Sequence, residues 1–357
     1  MIRGSRGHPG WAGAVVALVS TAAAVQISPI VRGEDVTFVA AGDPSDPPRI
    51  VADFNGWEGG KMTAAADGRG YSLHVTLDPA ARIEYLIAYR DRFVLDPGNP
   101  LTVPAPAGPP RSELRMPGYR RTPTLPAARR RGTIEEVAFT SRTGQRRRIR
   151  VYVPAGSRRP LPILYVHDGD IVLGALGLPS ILDSLMDTGQ MTPAFVAFID
   201  AVDRHDDYEP GSPFRSVLTG EIVPQLERRY AVEPRRRALL GLSRSTVGAL
   251  DTCVNGGIAF DACVLVAPAI ARRQFPVVLP AAPVDTRVLI ETGTYDVPLI
   301  TDARALRDEM ERRRLSVRYV ESPQGHNHTA FRDRLPTLMK DVFPSTRLER
   351  PAEAPTE

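Results

Sequence analysis

The chain has 357 residues, of which 43% are apolar and 24% charged. That balance excludes a wholly disordered chain, a collagen-like chain and a multi-span membrane protein, and the length accommodates two domains of about 100–200 residues or one large one. The net charge is only +4, two cysteines are too few for a disulfide scaffold, and six scattered histidines show no zinc-ligand spacing.

Arginine carries nearly all the positive charge, since only Lys61 and Lys340 are lysines. The clusters Arg129–Arg131, Arg146–Arg148, Arg235–Arg237 and Arg312–Arg314 read as solvated surface charge. Acidic residues are interspersed and no basic aromatic motif accompanies them, so no nucleic-acid partner is expected.

Residues 1–27 open with Arg3 and Arg6, then the apolar run Trp11–Val19 and the small residues Ala22–Ala24. This is the layout of a secretory leader cleaved after Ala24, and it predicts a periplasmic or secreted protein, a cytoplasmic one being the alternative. No other stretch approaches about 18 apolar residues, so no membrane span is expected.

Residues 28–118 predict an all-β, immunoglobulin-like sandwich. Val36–Ala40, Arg49–Ala52, Tyr71–Leu77, Ile83–Tyr89 and Arg92–Leu95 are short β-rich runs separated by Gly, Pro, Asp and Asn clusters. Residues 119–132 lack periodicity and read as a linker.

From residue 133 to 345 the pattern becomes that of an α/β domain. Glu135–Phe139 and Arg148–Val153 suggest an antiparallel opening pair. Strands follow at Pro162–Val166, Ala194–Ile199, Arg237–Leu240, Asp261–Val266, Arg287–Glu291 and Ser316–Glu321. Helices are predicted at Pro213–Tyr230, Ser245–Val254, Asp302–Arg314 and Thr329–Val342. Such alternation indicates a mostly parallel sheet flanked by helices. Residues 346–357 read as a disordered tail. Cys253 and Cys263, on a predicted helix and the next strand, read as two buried free thiols, although export would permit their oxidation.

Gly241-Leu-Ser243-Arg-Ser245 joins a predicted strand to a predicted helix, the context of a nucleophile elbow. The usual pattern is G-x-S-x-G, so Ser245 is a departure. Asp296 and His326 follow in the order acid, then histidine, each just past a predicted parallel strand. That edge is where open α/β sheets build their sites. A serine hydroxyl needs a base to become nucleophilic, His326 would supply it, and Asp296 would orient the imidazole. Asp302 is the alternative acid and His328 the alternative base, and Ser243 as a plain helix N-cap is the bland alternative. The oxyanion hole would take the backbone N–H of Arg244 and that of Asp170 or Ile171. This chemistry needs no cofactor and no metal.

Several segments resemble the putative esterase family of α/β hydrolases, which includes enterochelin esterase and esterase D. Leu164–Gly169 is similar to its L-L-x-L-D-G segment, with His167 in an apolar place. Arg204–Tyr208 resembles R-x-x-E-Y, and Glu221–Pro224 with Arg229-Tyr230 resembles E-L-x-P…R-Y. Gly241–Leu250 resembles G-x-S-x-G-G-x-x-A-L, with Ser245 and Thr246 at two glycine positions, and Gly325-His326-Asn327 resembles G-H-[DN]. Val51–Trp57 is similar to the G-D-F-N-G-W segment of glycogen-recognition-type sandwich modules, and Asp96-Pro97…Asn99-Pro100 to their D-P-x-N-P close. The resemblance implies an α/β hydrolase behind a β-sandwich, and a serine carboxylic-ester hydrolase whose small-molecule substrate is like the trilactone siderophore. It implies that Arg204, with Tyr208 beside it, and Arg244 could meet an anionic catecholate. Trp57 is a candidate sugar contact or else a structural tryptophan. An exported acetyl or feruloyl polysaccharide esterase and a non-catalytic binding protein on the same scaffold are the rival expectations.

Overall fold

The computed structural model describes residues 27–345, apart from 67–69, 91, 106–107, 157–159 and 281–283. The leader-like residues 1–26 and the tail from 346 onward lie outside the described residues. Among the described residues no helix is long and apolar enough to cross a membrane.

Two small sheets form the front sandwich. One holds β1 (Ile30–Arg32), β2 (Asp35–Ala40), β5 (Thr63–Ala64) and β6 (Tyr71–Thr76), in the order β1-β2-β6-β5. The other holds β3 (Arg49–Ala52), β4 (Gly60–Lys61), β7 (Arg82–Ala88), β8 (Phe93–Val94), β9 (Thr102–Val103) and β10 (Arg111–Arg115). Its order is β4-β3-β7-β10-β9, with β8 also on β7. Alternate residues of β2 face inward as the period of two requires, and Phe38 meets Tyr85 of β7 edge-on at 4.9 Å. β10 is a strand for which the sequence gives no expectation, because its Arg-Ser-Glu-Leu-Arg sequence carries a single large apolar residue.

The back domain is one eight-stranded sheet: β11 (Thr133–Thr140), β12 (Arg146–Val153), β13 (Leu161–His167), β14 (Phe195–Ile199), β15 (Val232–Leu242), β16 (Ala262–Val266), β17 (Arg287–Gly293) and β18 (Val317–Ser322). The spatial order is β11-β12-β14-β13-β15-β16-β17-β18. β11 and β12 pair antiparallel, β12 meets β14 antiparallel, and the rest is parallel. β13, β14 and β16 are buried along their whole length and β15 over its C-terminal half, as a sheet covered on both faces demands. Helices α1 (Leu178–Asp187), α2 (Arg204–Asp207), α3 (Pro213–Val217), α4 (Val223–Arg229), α5 (Ser245–Asn255), α6 (Phe275–Val278), α7 (Ile300–Arg312) and α8 (His328–Val342) connect or cover these strands. The molecule is an α/β hydrolase preceded by a β-sandwich.

Several details differ from the sequence reading. The expected helix Pro213–Tyr230 is present as α3 and α4, joined without a break through a π-helical segment at Leu218–Ile222. α1 is an additional helix, carried by Leu178, Ile181, Leu182 and Leu185 on one buried face. Arg147 is not solvated: it is 5% exposed, its guanidinium holds Asp207 through two bonds of 2.6 and 2.9 Å, and it lies over Phe214. The linker is pinned to the hydrolase, since Tyr119 donates to Asp333 and the Arg129 and Gly132 amides donate to Asp187 and Asp183. Cys253 and Cys263 are both buried free thiols.

Where sandwich and sheet meet, Arg82 is fully buried and donates to Glu113 at 2.5 Å and Glu84 at 2.9 Å. Removing one partner of a buried ion cluster strands the others. Arg82→Ala is expected to cost about 3–5 kcal/mol in urea unfolding, and a loss below about 1 kcal/mol would contradict this reading of the cluster.

Candidate active site

Three strand ends set the site. β15 runs to Leu242 and α5 begins at Ser245, so the chain turns sharply at Ser243, whose φ is 53°. A β-carbon disfavours that backbone, and only a neighbourhood that over-determines the turn sustains it. A β-carbon on Gly241 would stand 2.6 Å from the Ser245 carbonyl oxygen, so the turn needs glycine there. The Ser243 amide donates to Val266 O at 2.8 Å and fastens the turn to the end of β16. Ser245, the departure from the usual glycine, is fully buried; its hydroxyl accepts from the Leu242 amide at 2.8 Å and donates to Leu242 O at 3.0 Å. A serine thus fits this position because the turn itself satisfies its hydroxyl. Thr246 Oγ1 likewise donates to Ser243 O.

Past β17, Asp296 sits in a tight turn and is 2% exposed. Past β18, His326 follows Gly325 and precedes Asn327, whose side chain caps α8 by accepting from the Ala330 amide. The three side chains form one hydrogen-bonded line: His326 Nε2 lies 2.9 Å from Ser243 Oγ, and Nδ1 lies 2.7 Å from Asp296 Oδ2. The alternatives stand elsewhere. Asp302 pairs with Arg272 at 3.4 Å, and His328 begins α8, tilted against Phe331.

The loop after β13 lies beside this line. Asp168 has φ 52°, and a β-carbon on Gly169 would meet the Phe198 and Ile199 backbone at 2.6 Å. Ile171 and Val172 both donate their amides to Asp168 O, at 3.0 and 3.2 Å. The Ile171 N–H is therefore engaged and is corrected as an oxyanion donor, because the tightened first turn claims it; Asp170 remains. The Arg244 N–H stands at the N-terminal end of α5, where helix amides lack intrahelical acceptors.

Arg204 and Tyr208 are not free surfaces. Arg204 grips Asp168 with two bonds of 2.8 Å, and buried Tyr208 donates to Asp168 Oδ1 while accepting from the Asp168 amide. Both shape the loop, which the sequence spacing could not reveal because Asp168 lies 36 and 40 positions away. Arg244 is paired with Glu209 at 2.6 Å. Trp57 lies in the sandwich under the Arg111 guanidinium at 4.3 Å, with its indole N–H donated to Asp53. A cavity of about 800 Å³ opens between the linker, α1 and α8, lined among others by Arg115, Arg121, Arg332 and His328 but by neither Ser243 nor His326. Among the described residues no group of three or more His, Cys, Asp or Glu could hold a metal ion.

The sequence pattern of the family described as putative esterase matches residues 140–342. The chain belongs to the putative esterase family. As a member it is a carboxylic-ester hydrolase. A search of curated proteins matches none. Among solved structures, the esterase is similar to the enterobactin esterase of Shigella flexneri crystallised with enterobactin: 18% identity, 86% of this chain and 92% of that chain covered, TM-score 0.66. It is similar to the ferric enterobactin esterase of Salmonella typhimurium at 16% identity, with 86% and 93% covered and a TM-score of 0.64. A ferulic acid esterase aligns at 14% identity over 60% of this chain and 98% of its own, TM-score 0.51. At these identities the likeness is one of fold.

His167 is buried against Tyr208, ring centroids 4.9 Å apart, and burial pushes its pKa down to about 4 from an ordinary 6.5. The unfolded chain therefore takes up a proton below about pH 6.5 that the folded esterase refuses until about pH 4, so this residue makes stability fall as pH drops through that window. In urea unfolding, His167→Gln is expected to flatten the fall between about pH 6.5 and 4 relative to wild type; parallel curves would contradict a buried neutral imidazole.

Proposed function

We propose that this esterase is a serine enzyme working through an acyl-enzyme. Ser243 Oγ attacks the ester carbonyl carbon while His326 Nε2 takes its proton. Asp296 accepts the Nδ1–H, which keeps the Nε2 lone pair turned toward the serine and stabilises the imidazolium that forms. The carbonyl oxygen becomes an oxyanion held by the N–H groups of Arg244 and Asp170. His326 returns the proton to the departing alkoxide, and a water activated by the same imidazole then releases the acid. Arg204 and Tyr208 hold Asp168 and hence the oxyanion loop. The observation that carries this reading is the unbroken hydrogen-bonded line from a backbone-strained serine through His326 to buried Asp296.

An enterobactin-like lactone is the first substrate to propose, supported by the shared sandwich-then-hydrolase order over 86% of the chain. One observation favours a second reading. Arg204 and Arg244 each already face a carboxylate, so the charge they would offer a catecholate is offset, which suits an uncharged acetyl or feruloyl ester. The leader-like residues support a periplasmic or secreted enzyme.

Hydrolysis of p-nitrophenyl acetate and butyrate tests the mechanism. Ser243→Ala is expected to lower kcat by up to about 10⁶-fold, to background, with the fold intact by circular dichroism. A variant that retains the wild-type rate would overturn the proposal.

A further inference from the structure

The Asp53-Phe54-Asn55-Gly56-Trp57 stretch resembles a sugar-recognition motif, yet its carboxylate faces the hydrolase. Asp53 is 1% exposed; its Oδ2 accepts from the Glu84 amide at 2.8 Å and from Asn327 Nδ2 at 3.1 Å. Gly325 packs so closely that a β-carbon there would stand 2.1 Å from Asp53 Cγ. The carboxylate thus touches the residues on both sides of His326. Arg82 donates to the other end of the same amide, Asn327 Oδ1, at 3.1 Å, and its own backbone N–H donates to Pro323 O at 3.0 Å. The acid loop is braced too: Tyr295 OH accepts from the Asp78 amide at 2.8 Å, and the Gly56 turn faces Val297 and Pro298.

We infer that Asp53 and Arg82 of the sandwich are positioning residues for ester hydrolysis, clamping Asn327 and Gly325 so that the His326 ring stays in reach of both Ser243 and Asp296. This deepens the triad reading and rests on it. The clamp is specific about residue type. Asn327 must accept from Arg82 and from the Ala330 amide while donating to Asp53, which an amide can do and a carboxylate cannot. The charged groups that act on the Asp53 carboxyl are Glu84 and Arg82 on β7, while Arg82 also pairs with Glu113 and Glu84 with Arg111 on β10; the Trp57 indole N–H donates to its Oδ1. Burial, with Glu84 beside it, pushes the Asp53 carboxyl up to about 7.

Asn327→Asp in the full chain is the discriminating variant. It keeps the helix cap and the acceptor for Arg82 and reverses only the group facing Asp53. Two carboxyls can share a proton at lower pH and repel when both are ionised. From about pH 6 to about pH 8, the kcat deficit against wild type is expected to widen toward about 10²-fold with KM within a few fold. Over the same range the low-field proton resonance of the His326 Nδ1–H is expected to weaken relative to wild type. Asp53→Asn in that background supplies an amide donor to the new carboxylate, and is expected to recover part of kcat and flatten its pH dependence. Tyr85→Phe removes a buried sandwich bond to Asp96 on the face of β7 opposite Arg82 and Glu84, and is expected to lower the unfolding midpoint while leaving kcat and the resonance alone. Asn327→Asp with wild-type kcat and resonance throughout, or Tyr85→Phe with the same deficit, would overturn the clamp. If wild type turns over no ester but the resonance responds as described, the clamp on Asn327 stands as geometry, and its role in ester hydrolysis falls with the mechanism.

Discussion

Ser243 holds a backbone conformation that its own β-carbon opposes, and the surrounding chain is arranged to keep it there. Gly241 lets the following helix approach, Ser245 ties its hydroxyl back onto Leu242, and Val266 O takes the Ser243 amide. The result lifts one hydroxyl clear of the sheet edge at a fixed place. The positions of Asp296 and His326 have meaning only relative to that hydroxyl. A displacement of about an ångström at any member would break a line whose two hydrogen bonds already lie near ideal length.

The imidazole is the member that the hydrolase sheet holds least. It sits on a short connection between β18 and α8, a third of its side chain exposed, and the acid anchors one nitrogen. The sandwich supplies what the sheet does not. A fully buried guanidinium, two buried glutamates and a buried aspartate lie at the contact, a costly arrangement compared with an apolar seam. A polar seam is directional, however, and it fixes the rotation of Asn327 as well as its distance. The front domain thereby belongs to the same mechanical unit as the reacting groups.

Much of this was legible in the sequence. The switch from period-two runs to alternating strands and helices separated the two architectures, and strand ends followed by Ser243, Asp296 and His326 located the edge where they meet. What stayed hidden involved partners distant along the chain. Asp53 reaches Asn327 across 274 positions and Arg82 across 245, and no local pattern marks either pair. Arg147 looked like one more surface arginine because its partner Asp207 lies 60 residues on. α1 was a different case. Its apolar residues recur at helical spacing, with Pro179 in the first turn, yet the sequence reading assigned no element there. Ile171 was a plausible donor by position, and only the tightened turn on Asp168 O removed it. Trp57, read as a sugar contact or else a structural tryptophan, and Tyr208, singled out by resemblance, both serve carboxylates of the protein itself, Asp53 and Asp168.

The central claim is that Ser243 is an activated nucleophile. Its most direct measurement is labelling of the folded full-length protein with a fluorophosphonate, followed by mass spectrometry of the modified peptide. Stoichiometric modification at Ser243, abolished in His326→Ala, is the expected result. A folded protein that remains unmodified, or one modified at another serine, would contradict the account.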